Sequence, residues 1–128
     1  MIHKQSKFLA ALFGGAALLA GAGLASSARA AEEIRIGFIA PMTGPFAQVG
    51  KDMLDGLNMY LEEVRGEFAG AKIKVIVEDS QAKPDTAVTR AKKLTLQDKV
   101  HILLGGVLAT EGYALAPVST ADKTVYIA

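Results

Sequence analysis

The sequence predicts an α/β fold with a doubly wound, mainly parallel sheet, and three observations predict it. Short runs rich in β-branched residues alternate with longer amphipathic stretches throughout residues 31–128. Glycines and prolines separate the two kinds of segment, as they do at strand–helix turns. The resulting order, β-α-β-α-β-α-β, needs crossover connections that place helices on both faces of a parallel sheet.

The first 30 residues form a segment of their own. Lys4 and Lys7 precede an uncharged stretch, 8–24, and Ala28-Arg29-Ala30 offers small residues where a signal peptidase cuts. We therefore expect a cleavable secretory signal peptide over residues 1–30 rather than a retained membrane anchor, for which the apolar stretch is short. Cleavage removes three of the 14 basic residues and none of the 13 acidic ones, which leaves a net charge of −2 on residues 31–128.

Composition narrows the classes of function. The chain has no cysteine, so we expect neither a disulfide nor a lipid-bearing cysteine in the exported product. The net charge gives no basic footprint for a nucleic acid, and we expect no nucleic-acid partner. These observations favour a protein of the periplasm, and the length allows at most one ordinary domain.

The first strand and helix define the expected binding edge. The apolar run Glu33–Ala40 ends at Pro41, as a strand covered on both faces does. A Gly/Pro-rich turn then leads into a helix from Ala47 to about Arg65, whose apolar residues recur at helical spacing. Ligands of open α/β sheets bind beyond the carboxyl ends of the strands, so residues 41–50 are the expected lip of a cleft.

Two further units follow. Lys72–Glu78 alternates and is rich in β-branched residues, which predicts the second strand. Pro84 marks the first turn of the second helix, which we expect to end near Asp98. The third strand, Val100–Leu104, is predicted to be fully buried and to end at Gly105-Gly106.

The last unit contains the third helix and a fourth strand. Thr110 is the expected N-cap of that helix, with Glu111 in its first turn. Pro117 predicts a kink or an early end. A strand over Lys123–Ala128 would leave an apolar edge uncovered, from which we expect the chain to be the N-terminal fragment of a longer protein.

Enzymatic chemistry has little support in the residues. Gly44 and Gly50-Lys51 are similar to a phosphate loop, but five residues separate the glycines instead of four, and Asp52 would repel a phosphate. His101, the sole histidine of residues 31–128, is expected to be a buried core or edge residue, and without cysteine it cannot form a metal cluster.

Glu78 and Asp79 end the second strand beside the expected cleft. A catalytic acid pair is one interpretation. We favour the other, in which the two carboxylates hydrogen-bond loop amides or cap the turn before Pro84. Because no G-x-S-x-G nucleophile elbow is present either, we expect no catalytic residue, no cofactor and no metal.

The residues favour ligand binding instead. Gly105–Thr110 leads from the third strand into a helix N-terminus, where free amides suit a carboxylate. The Thr110 hydroxyl either caps its own helix, which we favour, or donates to a ligand, and both hold if it caps in the empty state. Phe46 is either an apolar wall of the cleft or a staple that packs on the first helix.

Three segments together resemble the start of the periplasmic Leu/Ile/Val-binding proteins, the type I solute-binding proteins of ABC importers. In order, they are IRIGFIAPMTGPFAQVGKDMLDGLNMYLEE, KIKVIVEDSQAKPDTAVTRAKKL and DKVHILLGGVLATEGYALAPV. The resemblance implies a type I periplasmic-binding-protein-like fold, in which two α/β lobes joined by hinge strands close on a small solute. Residues 31–128 would then be a partial N-terminal lobe.

The resemblance also implies ligand contacts. Amino-acid binders of the family commonly place a hydroxyl residue in the loop after the third strand. Here Leu108 and Ala109 occupy that stretch, and only Thr110 has a hydroxyl. Some members place a tyrosine against the ligand where this chain has Val49. With Phe46, these are the expected ligand-binding residues, and their departures from the family favour a small aromatic or aliphatic carboxylate over an amino acid.

We therefore expect a non-enzymatic solute receptor that delivers its ligand to an inner-membrane ABC permease. The expected ligand is either an amino acid of the branched-chain type or a small aromatic or aliphatic carboxylate. The alternative is the ligand-binding sensory domain of a signalling receptor, which would need a transmembrane helix and a cytoplasmic domain downstream. An exported α/β hydrolase would need a nucleophile and a second histidine, and residues 31–128 show neither.

Overall fold

The structure, a computed structural model, describes residues 32–128, so the predicted signal peptide lies outside it. The elements are β1 (Glu33–Ala40), α1 (Ala47–Glu63), β2 (Glu67–Phe68), β3 (Ala71–Asp79), α2 (Pro84–Lys92) with a π-helical turn (Lys93–Gln97), β4 (Ile102–Gly105), α3 (Ala109–Asp122) and β5 (Val125–Ile127). In this range no helix combines the length and the hydropathy that a bilayer crossing requires.

The strands form one sheet in the order β2-β3-β1-β4-β5. The pairs of β1 with β3, of β1 with β4 and of β4 with β5 are parallel, and β2 alone runs antiparallel to its neighbour β3. The central strand β1 places Ile39 opposite Glu78 on one side and Gly105 on the other. The predicted doubly wound, mainly parallel sheet is therefore confirmed.

Helices cover both faces of the sheet. Ile39 belongs to the core beneath α2 and α3, whereas its neighbour Ala40 faces α1 at Gly50, as alternation along a strand requires. The helix pair α2–α3 therefore packs on one face and α1 on the other. The buried core on the α2–α3 face consists of Ile39, Ala87, Ala91, Leu94, Val100, Leu103, Leu115 and Val118.

Two features of the sheet differ from the prediction. The short strand β2 was not predicted, and it pairs with β3 through a turn in which Ala69 and Gly70 adopt positive φ angles of 51° and 83°. The third predicted strand, now β4, is not fully buried: Leu103 is buried, but Ile102 and Leu104 are half-buried. Both half-buried residues lie on the face of α1, opposite the buried Leu103, and α1 packs mainly on β1.

Three local predictions differ from the structure in whole or in part. Helix α3 begins at Ala109, so Thr110 is already its second residue and not its N-cap. The early end at Pro117 does not occur, because α3 continues to Asp122 while Leu115 and Val118 stay packed in the core. His101 is exposed rather than buried and accepts a hydrogen bond from the Arg35 amide at Nδ1, 3.1 Å away.

Candidate functional site

The connections out of β1 and β4 run in opposite directions across the sheet. The chain leaves β1 toward β3 and leaves β4 toward β5, so the strand order reverses between β1 and β4. At such a switch point the two loops separate and leave a crevice beyond the carboxyl ends of the strands. We define the crevice by its two lips: the first lip is Met42–Gly50 and the second lip is Gly105–Thr110.

Asp79, at the end of β3, holds the first lip. Its Oδ1 accepts the Met42 amide at 2.8 Å and its Oδ2 accepts the Thr43 hydroxyl at 2.6 Å. Desolvation raises the pKa of Asp79, but the hydrogen bonds that it accepts, led by that of Thr43, outweigh it and lower the pKa below the usual 3.8. Asp79 therefore behaves as the expected loop-binding carboxylate.

Glu78 has a different role from its neighbour. Its carboxylate forms ion pairs with Lys93 and with Arg90, the latter at 3.2 Å, on the α2 face of the sheet. The two carboxylates point to opposite faces, as alternation along β3 requires. They consequently do not form the acid pair that one interpretation of the sequence allowed.

The backbone of the second lip is shaped by two glycines. Gly105 adopts φ +123°, and a Cβ on it would lie 2.0 Å from the Ile39 carbonyl oxygen, so only glycine fits. The next amide, Gly106, donates to that same Ile39 oxygen at 2.8 Å. Tyr126 of β5 completes this arrangement, because its hydroxyl donates to the Gly105 carbonyl at 3.0 Å.

Glu111 fastens the other end of the second lip. Its Oε2 accepts the Leu108 amide at 3.1 Å, and the Leu108 carbonyl accepts the Glu111 amide at 2.9 Å. The side chain is fully buried, and its Oε1 has no partner within the described residues. Burial raises the pKa of the nearby Tyr126, and the charge of Glu111 raises it further. Because Glu111 has no solvent-accessible surface, it supports the second lip from within the protein.

Helix α3 presents unpaired donors to the crevice. The amides of Val107, Ala109 and Thr110 donate to no acceptor within residues 32–128, and the Thr110 hydroxyl has no hydrogen-bond partner in that range. Because Glu111 supplies the cap, the Thr110 hydroxyl remains available to a ligand. Unpaired amides and the positive end of the helix dipole together favour an anionic group at this point.

The structure distributes the sequence-predicted ligand-binding residues over the two lips. Phe46 and Val49, which are 41% and 45% exposed, lie where the first lip enters α1. Ala109 and Thr110 are exposed and Leu108 is half-buried, all at the start of α3. Sequence reasoning missed Tyr126 as a support, and it assigned Glu111 only to the first helical turn. The glutamate at the third helical position was a usable signal for a cap.

A concavity of about 460 Å³ lies at the opposite end of the strands from the crevice. Its lining includes Arg35, Lys99, His101 and Lys123, which precede or begin strands. Lys99 and Lys123 follow helix C-termini, where a cation offsets the unpaired carbonyls. Elsewhere too, residues 32–128 contain no group of three side chains that could hold a metal ion.

Comparison with known proteins identifies the family. A family profile described as periplasmic binding protein matches residues 33–128. The chain belongs to this family. Its fold is of the type I periplasmic-binding-protein kind, and the family is one of non-enzymatic solute-binding proteins.

Individual relatives agree. The chain is 33% identical over 111 residues to the leucine-, isoleucine-, valine-, threonine- and alanine-binding protein of Pseudomonas aeruginosa, an alignment of 85% of this chain and 29% of the relative. It is 31% identical over 96 residues to Leu/Ile/Val-binding protein homolog 6 of Brucella abortus, with 74% and 25% covered. A solute-binding protein of an ABC transporter from Rhodopseudomonas palustris, solved with 3,4-dihydroxy benzoic acid, superposes with a TM-score of 0.71 at 33% identity, over 73% of this chain and 26% of that one.

The chain thus spans between a quarter and a third of the length of these relatives.

Proposed function

We propose that this chain is a ligand-binding part of a periplasmic ABC solute receptor and that the crevice binds the carboxylate of a small, mainly apolar acid. The observation that supports it most is the set of unpaired amides at Val107, Ala109 and Thr110, with the free Thr110 hydroxyl beside them. Hydrogen bonds from these donors to a charged group are stronger than bonds to a neutral one.

The first lip suits the apolar body of such an acid. Phe46 and Val49 are exposed, and Thr43, the sole hydroxyl residue of that lip, donates to Asp79. The relative from Pseudomonas aeruginosa is named for leucine, isoleucine, valine, threonine and alanine, four of which have apolar side chains, and the structure from Rhodopseudomonas palustris contains an aromatic acid. Both ligand classes combine a carboxylate with a largely apolar body, which is the shared chemistry that we assign here.

Electrostatics favours the aromatic or aliphatic acid over the amino acid. An amino acid also needs an acceptor for its ammonium group. Of the carboxylates at the carboxyl ends of these strands, Asp79 is engaged by three donors, Glu78 is paired with Arg90 and Lys93, and Glu111 is fully buried. Among residues 32–128, the carboxyl ends of the strands therefore offer an ammonium group no exposed carboxylate without a partner, and a benzoate-like ligand needs none.

Residues 31–128 would then form part of the first of two lobes. A ligand that contacts both lobes favours the closed arrangement, and an inner-membrane ABC permease would be the partner that receives it. Localisation in the periplasm and a cleavable signal peptide over residues 1–30 are parts of the same proposal. The family and the ABC transporter structure from Rhodopseudomonas palustris support it.

A thermal-shift screen of the full-length protein tests the proposal. The panel contains L-leucine, L-isoleucine, L-valine, benzoate and 4-hydroxybenzoate, because a ligand that binds only the folded protein raises its melting temperature. We expect the benzoates to give the larger shifts. Stabilisation by the branched-chain amino acids alone would contradict our preference for a benzoate-like acid, and the absence of any shift would contradict the receptor proposal.

A further inference from the structure

The first lip has few attachments to the rest of the protein, and Asp79 supplies the hydrogen bonds among them. Pro41 is buried at its start, and Gly50 packs against Pro41 at its end. Between these points, the Met42 amide and the Thr43 hydroxyl donate to Asp79, at 2.8 Å and 2.6 Å. In the described part of the chain, the other hydrogen bonds of Thr43–Phe46 are local ones toward α1.

Asp79 also binds the turn that follows β3. Its Oδ1 accepts the Gln81 amide at 2.8 Å, so one carboxylate oxygen joins the start of the first lip to the turn after β3. A further bond, from the Ser80 amide to the Ala40 carbonyl at 3.0 Å, runs beside it. The turn after β3 is thereby the support on which Asp79 holds the first lip.

We propose that Asp79 is a positioning residue for the ligand: it fixes the first lip of the crevice and so sets ligand affinity without touching the ligand. The inference rests on the proposed function of the crevice. It adds that selectivity for an apolar body depends on Asp79, because the bond to Oδ2 occupies the proton of the Thr43 hydroxyl, the sole hydroxyl of the first lip. Phe46 and Val49 are the large exposed apolar side chains that this lip offers to a ligand.

The size of the effect follows from the population of the competent conformation. When a lip is correctly placed for only a fraction of the time, the apparent dissociation constant rises by the inverse of that fraction. A first lip that is in place about a tenth of the time without Asp79 would bind its ligand about tenfold more weakly. The lowered pKa of Asp79 agrees with this role, because it keeps the carboxylate charged at neutral pH.

The neighbouring glutamate provides a matched control. Asp79→Ala and Glu78→Ala each remove one carboxylate from the end of β3, but Glu78 pairs with Arg90 and Lys93 on the opposite face. In the full-length protein, we expect Asp79→Ala to raise the dissociation constants for 4-hydroxybenzoate and L-leucine, whichever binds, about tenfold by calorimetry. Glu78→Ala should leave them within twofold, even if it lowers the melting temperature.

Amide hydrogen exchange in the ligand-free protein separates a local effect on the first lip from a general loss of stability. A general loss would speed exchange throughout the protein, whereas a local effect would speed it only at particular amides. Asp79→Ala should speed exchange at Met42 and Gln81 and leave the core of β1 protected, whereas Glu78→Ala should leave Met42 unchanged. Thr43→Val should reproduce part of the affinity loss alone and add nothing to Asp79→Ala, because both break the same contact. If Asp79→Ala does not fold, Thr43→Val provides the affinity test by itself.

Several outcomes would overturn the inference. Unchanged affinity in Asp79→Ala, or equal losses in Asp79→Ala and Glu78→Ala, would show that Asp79 does not position the lip for binding. If the wild-type protein binds neither probe, the proposed function fails. Unchanged exchange at Met42 in Asp79→Ala would overturn the positioning role on its own.

Discussion

Two glycines of α1 allow the packing of this helix against Pro41, beside the first lip, to be tested by substitution. A Cβ on Gly50 would lie 2.1 Å from the Pro41 carbonyl oxygen and 2.9 Å from its carbonyl carbon, whereas a Cβ on Gly56 would have no atom within 4 Å. Both residues are inside the same helix, so replacement by alanine gives each the same gain in helix propensity, about 1 kcal/mol. The main difference between the two variants is therefore the clash, and Gly50 is buried in the first turn of α1 whereas Gly56 is exposed in its middle.

The clash at Gly50 is with backbone, which cannot rotate away. The helix would have to move about 1 Å from Pro41 to restore an ordinary contact, and overpacking of this kind costs typically 1–3 kcal/mol. We expect Gly56→Ala to raise the free energy of unfolding by about 1 kcal/mol and Gly50→Ala to lower it by about 2 kcal/mol. Urea denaturation of the two variants beside the wild type measures the difference. Equal shifts in the two variants would refute the packing of α1 against Pro41.

Three further predictions concern the lips. Thr110→Val should weaken 4-hydroxybenzoate binding about tenfold, since a hydrogen bond to a charged group contributes about 1.5–3 kcal/mol, and it should leave the melting temperature unchanged. Thr120→Val is the control, because the Thr120 hydroxyl donates to the Ala116 carbonyl in the same helix. The pKa of Asp79 is lower in the folded protein, so its stabilising effect is present above about pH 4 and is lost as the pH falls further. The difference in unfolding free energy between the wild type and Asp79→Asn should therefore shrink below about pH 4. A difference that stays constant with pH would contradict the assignment. The pKa of Tyr126 is raised in the folded protein, so its stabilising effect is present below about pH 10 and is lost as the pH rises further. Tyr126→Phe also removes the hydrogen bond to Gly105, and it should abolish this loss of stability at alkaline pH, measured by denaturation as a function of pH.

The sequence predicted the elements that depend on local pattern. The β-branched runs and amphipathic stretches placed four of the five strands and all three helices to within a few residues, because hydrophobic periodicity reports which face of an element is buried. The mainly parallel sheet, and the expectation of a cleft beyond the carboxyl ends of its strands, followed from the alternation of strands and helices, whereas the strand order came only from the structure. The two-residue strand β2 was missed because it contains no periodicity and forms only through its pairing with β3.

The misassignments arise where tertiary contacts overrode a local rule. Thr110 has the side chain of a typical N-cap, yet Glu111 is buried against the second lip and takes over the capping bond to Leu108. Pro117 removes one hydrogen bond from α3, but packing of the same turn against the core keeps the helix intact. The support of the second lip by Tyr126 spans 21 residues, which no local pattern reports.

Titration of the full-length protein by calorimetry with 4-hydroxybenzoate and with its methyl ester tests the central claim most directly. The two compounds share the apolar body and differ in the charged carboxylate that the start of α3 is expected to hold. We predict that the acid binds at least about tenfold more tightly than the ester, because the ester loses the charge-assisted hydrogen bonds. Binding of the ester as tightly as the acid would contradict it.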